Sequence, residues 1–179
     1  TLYRNSSFKN IHYVGEIGSD LDTILDYINA AGKVAQEKDE AAPVVVLDYL
    51  HLITSGKRIE AQELIKQTVT GLKRYAIDYN TFVFAISAAG REAMKAGELT
   101  LNSGRDSSNI EYTADNVLTL ERAESQEEAN DWQTMTIKAV KARYGRANEK
   151  RTISFCPAYN YFAPVAGFIG TGKTEKKKR

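Results

Sequence analysis

The sequence lacks the features that mark secreted and membrane proteins. It has a single cysteine, Cys156, so no disulfide can form within the chain, and a reducing, cytoplasmic compartment is expected. No apolar run approaches the roughly 20 residues that a membrane-spanning helix needs, so we expect no membrane partner. The 24 basic and 23 acidic side chains leave a formal net charge of +1. Any contact with nucleic acid must therefore come from local patches.

Two further absences concern the start of the chain and metal ligands. The chain begins with Thr1 rather than with methionine, so we expect residues upstream that this sequence does not include. No leader made of a charged and then an apolar segment follows Thr1. His12 and His51 have no partners at metal-ligand spacing, which argues against a zinc site. What is present, 42% hydrophobic and 26% charged side chains over 179 residues, is typical of one globular domain.

Hydrophobic spacing predicts a strand, a helix and a second strand in the middle of the chain. Residues 44–47 form an unbroken apolar run, which is typical of a strand buried on both faces of a sheet. Apolar side chains then recur at the helical period over residues 58–79, and a second apolar run covers 82–86. A βαβ unit at this spacing makes a parallel sheet the expected arrangement.

The flanking segments predict further elements. Before this unit, we expect a short strand over residues 10–14 and a helix capped by Ser19, with Gly32 as a stop signal and with the end of the helix plus a solvated loop over residues 33–42. After it, residues 89–109 are rich in glycine, serine and charge, which predicts a loop. Three strand-like segments follow, and we expect them to extend the edge of the sheet as hairpins: 116–120, 133–140 and 151–155.

Asp48 directly follows the first apolar run. In open α/β sheets, ligands bind beyond the carboxyl ends of the strands. A carboxylate at that point can hold Mg²⁺ through its water shell, as nucleotide-hydrolysing enzymes require. Many buried strands also end in an aspartate that only caps the next turn, so this pattern alone leaves both interpretations open.

Four segments, in chain order, resemble motifs of one known family. Residues 48–53, Asp-Tyr-Leu-His-Leu-Ile, resemble its second Walker motif, with His51 where glutamine is usual. Residues 85–87 resemble the strand that follows its long helix, residues 105–115 resemble the segment Arg-Glu-Ser-Gly-x-Ile-Glu-x-Asp-Ala-Asp, and residues 141–145 resemble the motif Lys-Asn-Arg-x-Gly. Together they resemble the C-terminal ATPase domain of DnaB-type replicative helicases, a RecA-like family.

The resemblance runs from about residue 44 to 162 and implies an α/β fold with a RecA-like P-loop ATPase core. It implies a mostly parallel sheet flanked by helices, with antiparallel strands on the C-terminal side. We expect a partial domain over residues 1–165 and a basic tail over 166–179. ATP and Mg²⁺ are the implied cofactors, and single-stranded DNA is the implied partner of a ring, a hexamer, that unwinds duplex DNA.

The resemblance also implies roles for residues at the nucleotide. Asp48 would hold the Mg²⁺ of bound ATP. Lys141 and Arg143 would reach across a subunit interface to the neighbour's γ-phosphate, with Arg143 as the arginine finger. Strand alternation sends the side chains of Lys141 and Arg143 to the same face. Without the resemblance, two solvated cations at a turn would explain them as well.

Contacts with DNA are implied for the third segment. Arg105, Asp106 and Ser108 would line the central channel of the ring and touch the phosphates of single-stranded DNA. Ser108 stands where the family has glycine, and its backbone N–H remains available as a donor. A polar surface loop, tied by an Asp-Ser turn, is the alternative interpretation.

Two departures from the family weigh against hydrolysis by these 179 residues alone. The glutamine that senses the γ-phosphate is replaced by Ala88, and residues 1–43 contain neither a first Walker motif nor the catalytic glutamate expected with it. Residues 167–174 fit the phosphate-loop pattern literally, but only five charged residues follow, too few for the required helix. We interpret that match as a coincidence, with a circular permutation or a second, truncated phosphate loop as the alternative.

The sequence therefore predicts the C-terminal portion of a DnaB-like helicase, inactive as a fragment, whose intact parent hydrolyses ATP. The alternative is a non-hydrolysing DnaB-like module for DNA binding or ring assembly. A third possibility is a recombination or clock-type ATPase of the RecA class, although residues 141–145 fit those proteins less well.

Overall fold

The computed structural model describes residues 11–15, 19–90, 107–122 and 132–164. The described residues form two compact units, the first ending at residue 114 and the second beginning at residue 115. The first unit contains α1 (Leu21–Glu37), β1 (Val45–Leu47), a 3₁₀ turn (Leu50–Leu52), α2 (Ala61–Asp78), β2 (Val83–Ala85) and α3 (Ser107–Thr113). The second contains β3 (Asn116–Arg122), β4 (Gln133–Ala142), β5 (Lys150–Cys156), a 3₁₀ turn (Pro157–Tyr159) and β6 (Tyr161–Pro164).

Helix α1 differs from the prediction in its N-cap and in the role of Gly32, which is not a stop. Its N-cap is Asp20 rather than Ser19, and the Asp20 carboxylate accepts a hydrogen bond from the Thr23 backbone N–H at 3.2 Å. A second backbone N–H, that of Gly56, donates to the same carboxylate at 3.0 Å. These donors favour the charged form and lower the pKa of Asp20. At the other end, the helix continues through Gly32 to Glu37.

Two glycines allow α1 and α2 to pack closely. A Cβ on Gly32 would lie 2.7 Å from the ring of Tyr79, whose hydroxyl donates to the Asn29 carbonyl at 3.0 Å. A Cβ on Gly71 would lie 2.7 Å from the end of the Leu25 side chain. Gly32 therefore serves helix packing rather than helix termination.

The predicted parallel pairing of the two apolar runs is confirmed. β1 pairs with β2 in register, with Val45 opposite Val83 and Leu47 opposite Ala85. The inner face of this sheet packs against a core in which Tyr75 is 1% exposed. The Tyr75 hydroxyl donates to the Pro43 carbonyl at 2.8 Å, and burial raises the pKa of Tyr75. The other buried members of this cluster are Ile28, Leu50, Ile65, Val69 and Leu72.

The prediction that β1 is buried on both faces is wrong for the described residues. Val46 is 67% exposed and its neighbour on β2, Phe84, is 60% exposed. Successive side chains of a strand point to opposite faces, and the residues of β1 and β2 that pack against the core cluster are Val45, Leu47 and Val83. The outer face of this sheet is therefore apolar and open in the first unit.

The three C-terminal strand segments are antiparallel, as predicted, but they do not extend the parallel sheet within the described residues. With β6 they form a separate sheet of order β3-β4-β5-β6. Register alternates apolar pairs such as Leu120–Ile137 with polar pairs such as Thr119–Lys138. In this sheet each strand pairs with the next one along the chain, as antiparallel strands joined by short connections do.

Two other predictions are corrected. Residues 11–15 adopt no regular structure, so the part of the predicted N-terminal strand that lies in the described residues is not a strand. The end of the predicted loop over 89–109 is helical from Ser107, because Ile110 packs against the core and anchors α3 to α2. Among the described residues, no helix combines the length and the apolar character needed to cross a membrane.

Candidate functional site

Asp48 lies at the carboxyl end of β1 and is exposed. Pairing continues past the strands: the Ile86 N–H donates to the Leu47 carbonyl, and the Leu50 N–H donates to the Ile86 carbonyl, both at 2.9 Å. These bonds bring the segment after β1 beside the segment after β2. The carboxylate is therefore presented at the sheet edge where ligands of open α/β folds bind.

The same edge carries buried polar atoms that sequence reasoning missed. Within the described residues, both ring nitrogens of His51 and the Oγ of Ser87 are buried and have no hydrogen-bond partner. Buried polar groups are nearly always paired, and each unpaired one costs about 1–3 kcal/mol. His51 and Ser87 directly follow Leu50 and Ile86, the two residues joined by the bond across the strand ends. No sequence pattern signals such burial.

The Asp48 carboxylate at this edge fits a water-mediated Mg²⁺ site. Among the described residues, no group of three histidine, cysteine, aspartate or glutamate side chains could enclose a metal. Mg²⁺ in nucleotide sites typically has one or two carboxylate ligands, with waters and phosphate oxygens completing its coordination. The exposed carboxylate of Asp48 suits that arrangement.

Lys141 and Arg143 lie at the end of β4, in the second unit. Register places Lys141 opposite Val117 and Ala139 opposite Leu118, so Val140 is an extra residue that forms a bulge. The bulge brings Lys138, opposite Thr119, to the same face as Lys141. Sequence reasoning missed Lys138, because simple alternation assigns residues 138 and 141 to opposite faces.

Arg143 has a defined partner in the second unit. Its Nη1 donates to Asp115 Oδ1 at 2.9 Å, and its backbone N–H donates to the Asp115 carbonyl at 2.8 Å. The two side chains are 39% and 33% exposed. Arg143 is thus an exposed cation that forms an ion pair with Asp115 at the turn after β4. Asp115 was part of a recognised motif but had no predicted role.

The residues predicted to contact DNA are described only in part. Ser108 is exposed in the first turn of α3, where backbone N–H groups have no acceptor within the helix. The Asn109 side chain donates to the Gln62 carbonyl at 3.4 Å, which ties α3 to α2. Arg105 and Asp106 lie outside the described residues, as does the phosphate-loop match at 167–174.

A parallel strand pair with helices in one unit and an antiparallel sheet in the other are the elements expected of a RecA-like α/β fold. Residues 17–164 match the family described as DnaB-like helicase C terminal domain. The chain belongs to that family. This confirms the resemblance and the fold class predicted from the sequence.

Individual relatives agree with this assignment. The replicative DNA helicase DnaB of Leifsonia xyli subsp. xyli (strain CTCB07) is 31% identical over 126 residues, which are 69% of this chain and 28% of that protein. A solved DnaB-like replicative helicase, described with its interactions with primase, superposes with a TM-score of 0.72 at 21% identity, over 87% of this chain and 37% of that one.

A second solved structure, described as an ATPase domain, superposes with a TM-score of 0.68 at 21% identity. The match covers 83% of this chain and 52% of that one. At these identities the solved structures support the fold alone. The chain spans 28% of the curated relative and 37% of the first solved helicase.

Proposed function

We propose that this domain works as the C-terminal part of a DnaB-like replicative helicase, in a ring whose subunits bind ATP between them. Membership of the DnaB-like family over residues 17–164 carries the proposal. The exposed carboxylate of Asp48 at the carboxyl edge of the parallel sheet supports it. A cytoplasmic location is part of the proposal, since a replicative helicase acts where DNA is replicated.

Each residue at the nucleotide has a separate task in this proposal. Asp48 holds Mg²⁺ through water, and the bound ion supplies positive charge to the phosphates. Lys141 and Arg143 extend from one subunit toward the γ-phosphate held by its neighbour. The planar, permanently charged guanidinium of Arg143 suits the charge spread over a transferring phosphoryl group.

Movement along DNA is assigned to the segment around α3. The segment that contains Arg105, Asp106 and Ser108 contacts the phosphates of single-stranded DNA, with Arg105 supplying the cation and Ser108 its backbone N–H, and it carries no base preference. A motor must bind every sequence that it passes, so contacts to the backbone fit the task. Binding is therefore sequence-independent and weakens as salt rises.

The decisive experiment uses the longer, ring-forming protein that contains these 179 residues. Arg143→Ala should lower ATP turnover by on the order of 10³-fold while nucleotide binding is retained, because a finger acts on the reacting phosphate. Arg146→Ala, which removes an exposed cation three residues further on, is the matched control and should leave turnover unchanged. Normal turnover by Arg143→Ala would remove the finger role and contradict the proposal.

A second candidate is a non-hydrolysing DnaB-like module that binds DNA or assembles rings. Ala88, at the position where the family has its sensing glutamine, favours this candidate because a methyl group forms no hydrogen bond with a phosphate. The same longer protein distinguishes the two. A ring that binds single-stranded DNA but shows no turnover that depends on Asp48 would identify the module.

A further inference from the structure

Asp115 contacts Arg143 at both ends of the arginine. The Arg143 backbone N–H donates to the Asp115 carbonyl at 2.8 Å, and Nη1 donates to Oδ1 at 2.9 Å. Asp115 immediately precedes β3 and Arg143 immediately follows β4, so these bonds add one pair to the ladder beyond Asn116 and Ala142. Asp115 thereby holds both the backbone and the guanidinium of Arg143.

This double contact restricts a side chain that otherwise has many rotamers. A bond at the tip selects the conformers in which the guanidinium lies beside the carboxylate, and the backbone bond fixes where the side chain starts. Ion pairs that are one-third exposed or more contribute little to folding. The main physical effect of the pair is therefore on the direction of the guanidinium.

We propose that Asp115 is a positioning residue for Arg143: it holds the guanidinium in the orientation that meets the phosphate of the neighbouring subunit. The inference rests on the proposed function, since it assumes that Arg143 acts on a bound nucleotide. One guanidinium nitrogen, Nη1, donates to the carboxylate, and a planar group with five N–H donors can engage a phosphate as well. A group held in its reacting direction before substrate arrives loses less freedom during the reaction.

The test compares variants of the longer, ring-forming protein. Asp115→Asn keeps the size of the side chain and removes its charge. It should lower kcat for ATP hydrolysis by roughly 2- to 5-fold, because an exposed ion pair shifts the population of side-chain orientations by about that factor, with KM and nucleotide affinity unchanged. Asp115→Glu should recover part of the loss. The matched control is Glu149→Gln, which removes an exposed partner of Arg151 at 3.6 Å and should have no effect.

A double variant separates positioning from a general structural role. If Asp115 acts through Arg143, Asp115→Asn should cause no further loss of kcat when added to Arg143→Ala. Independent, multiplicative losses would overturn the inference. So would unchanged kcat in Asp115→Asn when Arg143→Ala abolishes turnover, and in that case the proposed function would stand. Normal turnover in Arg143→Ala contradicts the proposed function itself, so the two failures are distinguishable.

A readout that needs no activity uses the 179-residue chain. The Nη–H resonances of Arg143 should be shifted by the bond from Nη1 to Asp115, and Asp115→Asn should move them toward those of Arg146. Circular dichroism checks that the variant keeps its secondary structure. A folded variant in which the Arg143 resonances are unchanged would overturn the inference.

Discussion

The backbone N–H of Leu50 donates to the carbonyl of Ile86 at 2.9 Å, which joins the segments that follow the two parallel strands. Leu50 is itself only 1% exposed, so the turn that carries it is anchored in the core. The chain between this anchor and β1 is short, and Asp48 is exposed within it. A buried leucine thus determines where the candidate magnesium-binding carboxylate is presented.

The 179-residue chain by itself should hydrolyse no ATP above background. It contains the Asp48 carboxylate, but residues 1–43 hold no phosphate-binding loop between a strand and a helix. Phosphate release can be measured with and without single-stranded DNA. Turnover that disappears in Asp48→Ala, but persists when the exposed Asp26 is replaced by alanine, would contradict this prediction.

Replacing Arg105 should weaken binding of single-stranded DNA by a similar factor for all base sequences. A phosphate contact releases a counterion, so Arg105→Ala should also reduce the slope of log affinity against log salt by roughly 0.7. Titration of labelled oligonucleotides at several salt concentrations measures both. Arg74→Ala is the control, since Arg74 is an exposed cation of α2 paired with Asp78. Unchanged affinity at low salt would argue against a channel role for Arg105.

The two interhelical glycines should differ in their tolerance of alanine. In Gly32→Ala the new methyl meets the ring of Tyr79, which its hydrogen bond to Asn29 holds in place. Overpacking of this kind costs about 1–3 kcal/mol, more than the roughly 1 kcal/mol gained in helix propensity. Gly71→Ala meets only the flexible end of Leu25 and should be nearly neutral.

The free energy of unfolding in urea tests both glycine variants. The expected result is a lower midpoint for Gly32→Ala and an unchanged or higher midpoint for Gly71→Ala. Equal changes in the urea midpoint for the two variants would show that the position of the Tyr79 ring does not determine the effect of Gly32→Ala.

The cap of α1 should make stability depend on pH in the acid range. The backbone N–H groups of Thr23 and Gly56 lower the pKa of Asp20 below its ordinary value of 3.8. A lowered carboxyl pKa stabilises the fold fully above the unfolded value, and this stabilisation is lost as the pH falls through the folded value. Asp20→Ala should therefore lower the thermal midpoint at neutral pH, and the difference should shrink below about pH 4.

Asp20→Asn is the control for this pH dependence. Asparagine caps helices about as well as aspartate but carries no charge. It should keep most of the stability at neutral pH and show no acid-dependent loss from this position. A difference between wild type and Asp20→Ala that stays constant between about pH 7 and about pH 2.5 would contradict the assigned cause.

Local patterns were enough for the elements near the candidate site. Helical periodicity predicted α2 to within three residues of its start, and the two apolar runs predicted the parallel pair β1 and β2. Each pattern lies in one continuous segment of the chain, so it can be recognised from the sequence alone. Gly32 was wrongly predicted to be a helix stop. A glycine is needed there because a Cβ would clash with the ring of Tyr79, which directly follows α2.

The order of motifs identified the family and named Asp48, Lys141 and Arg143 as candidates, because side-chain chemistry and spacing are properties of the chain alone. Tertiary structure decided which groups meet. The bulge at Val140 and the bond between Asp115 and Arg143 depend on strand register, and the burial of the His51 ring nitrogens, which have no hydrogen-bond partner among the described residues, depends on how the turn after β1 packs. Register is set by contacts between residues far apart in the chain, and no local pattern records it.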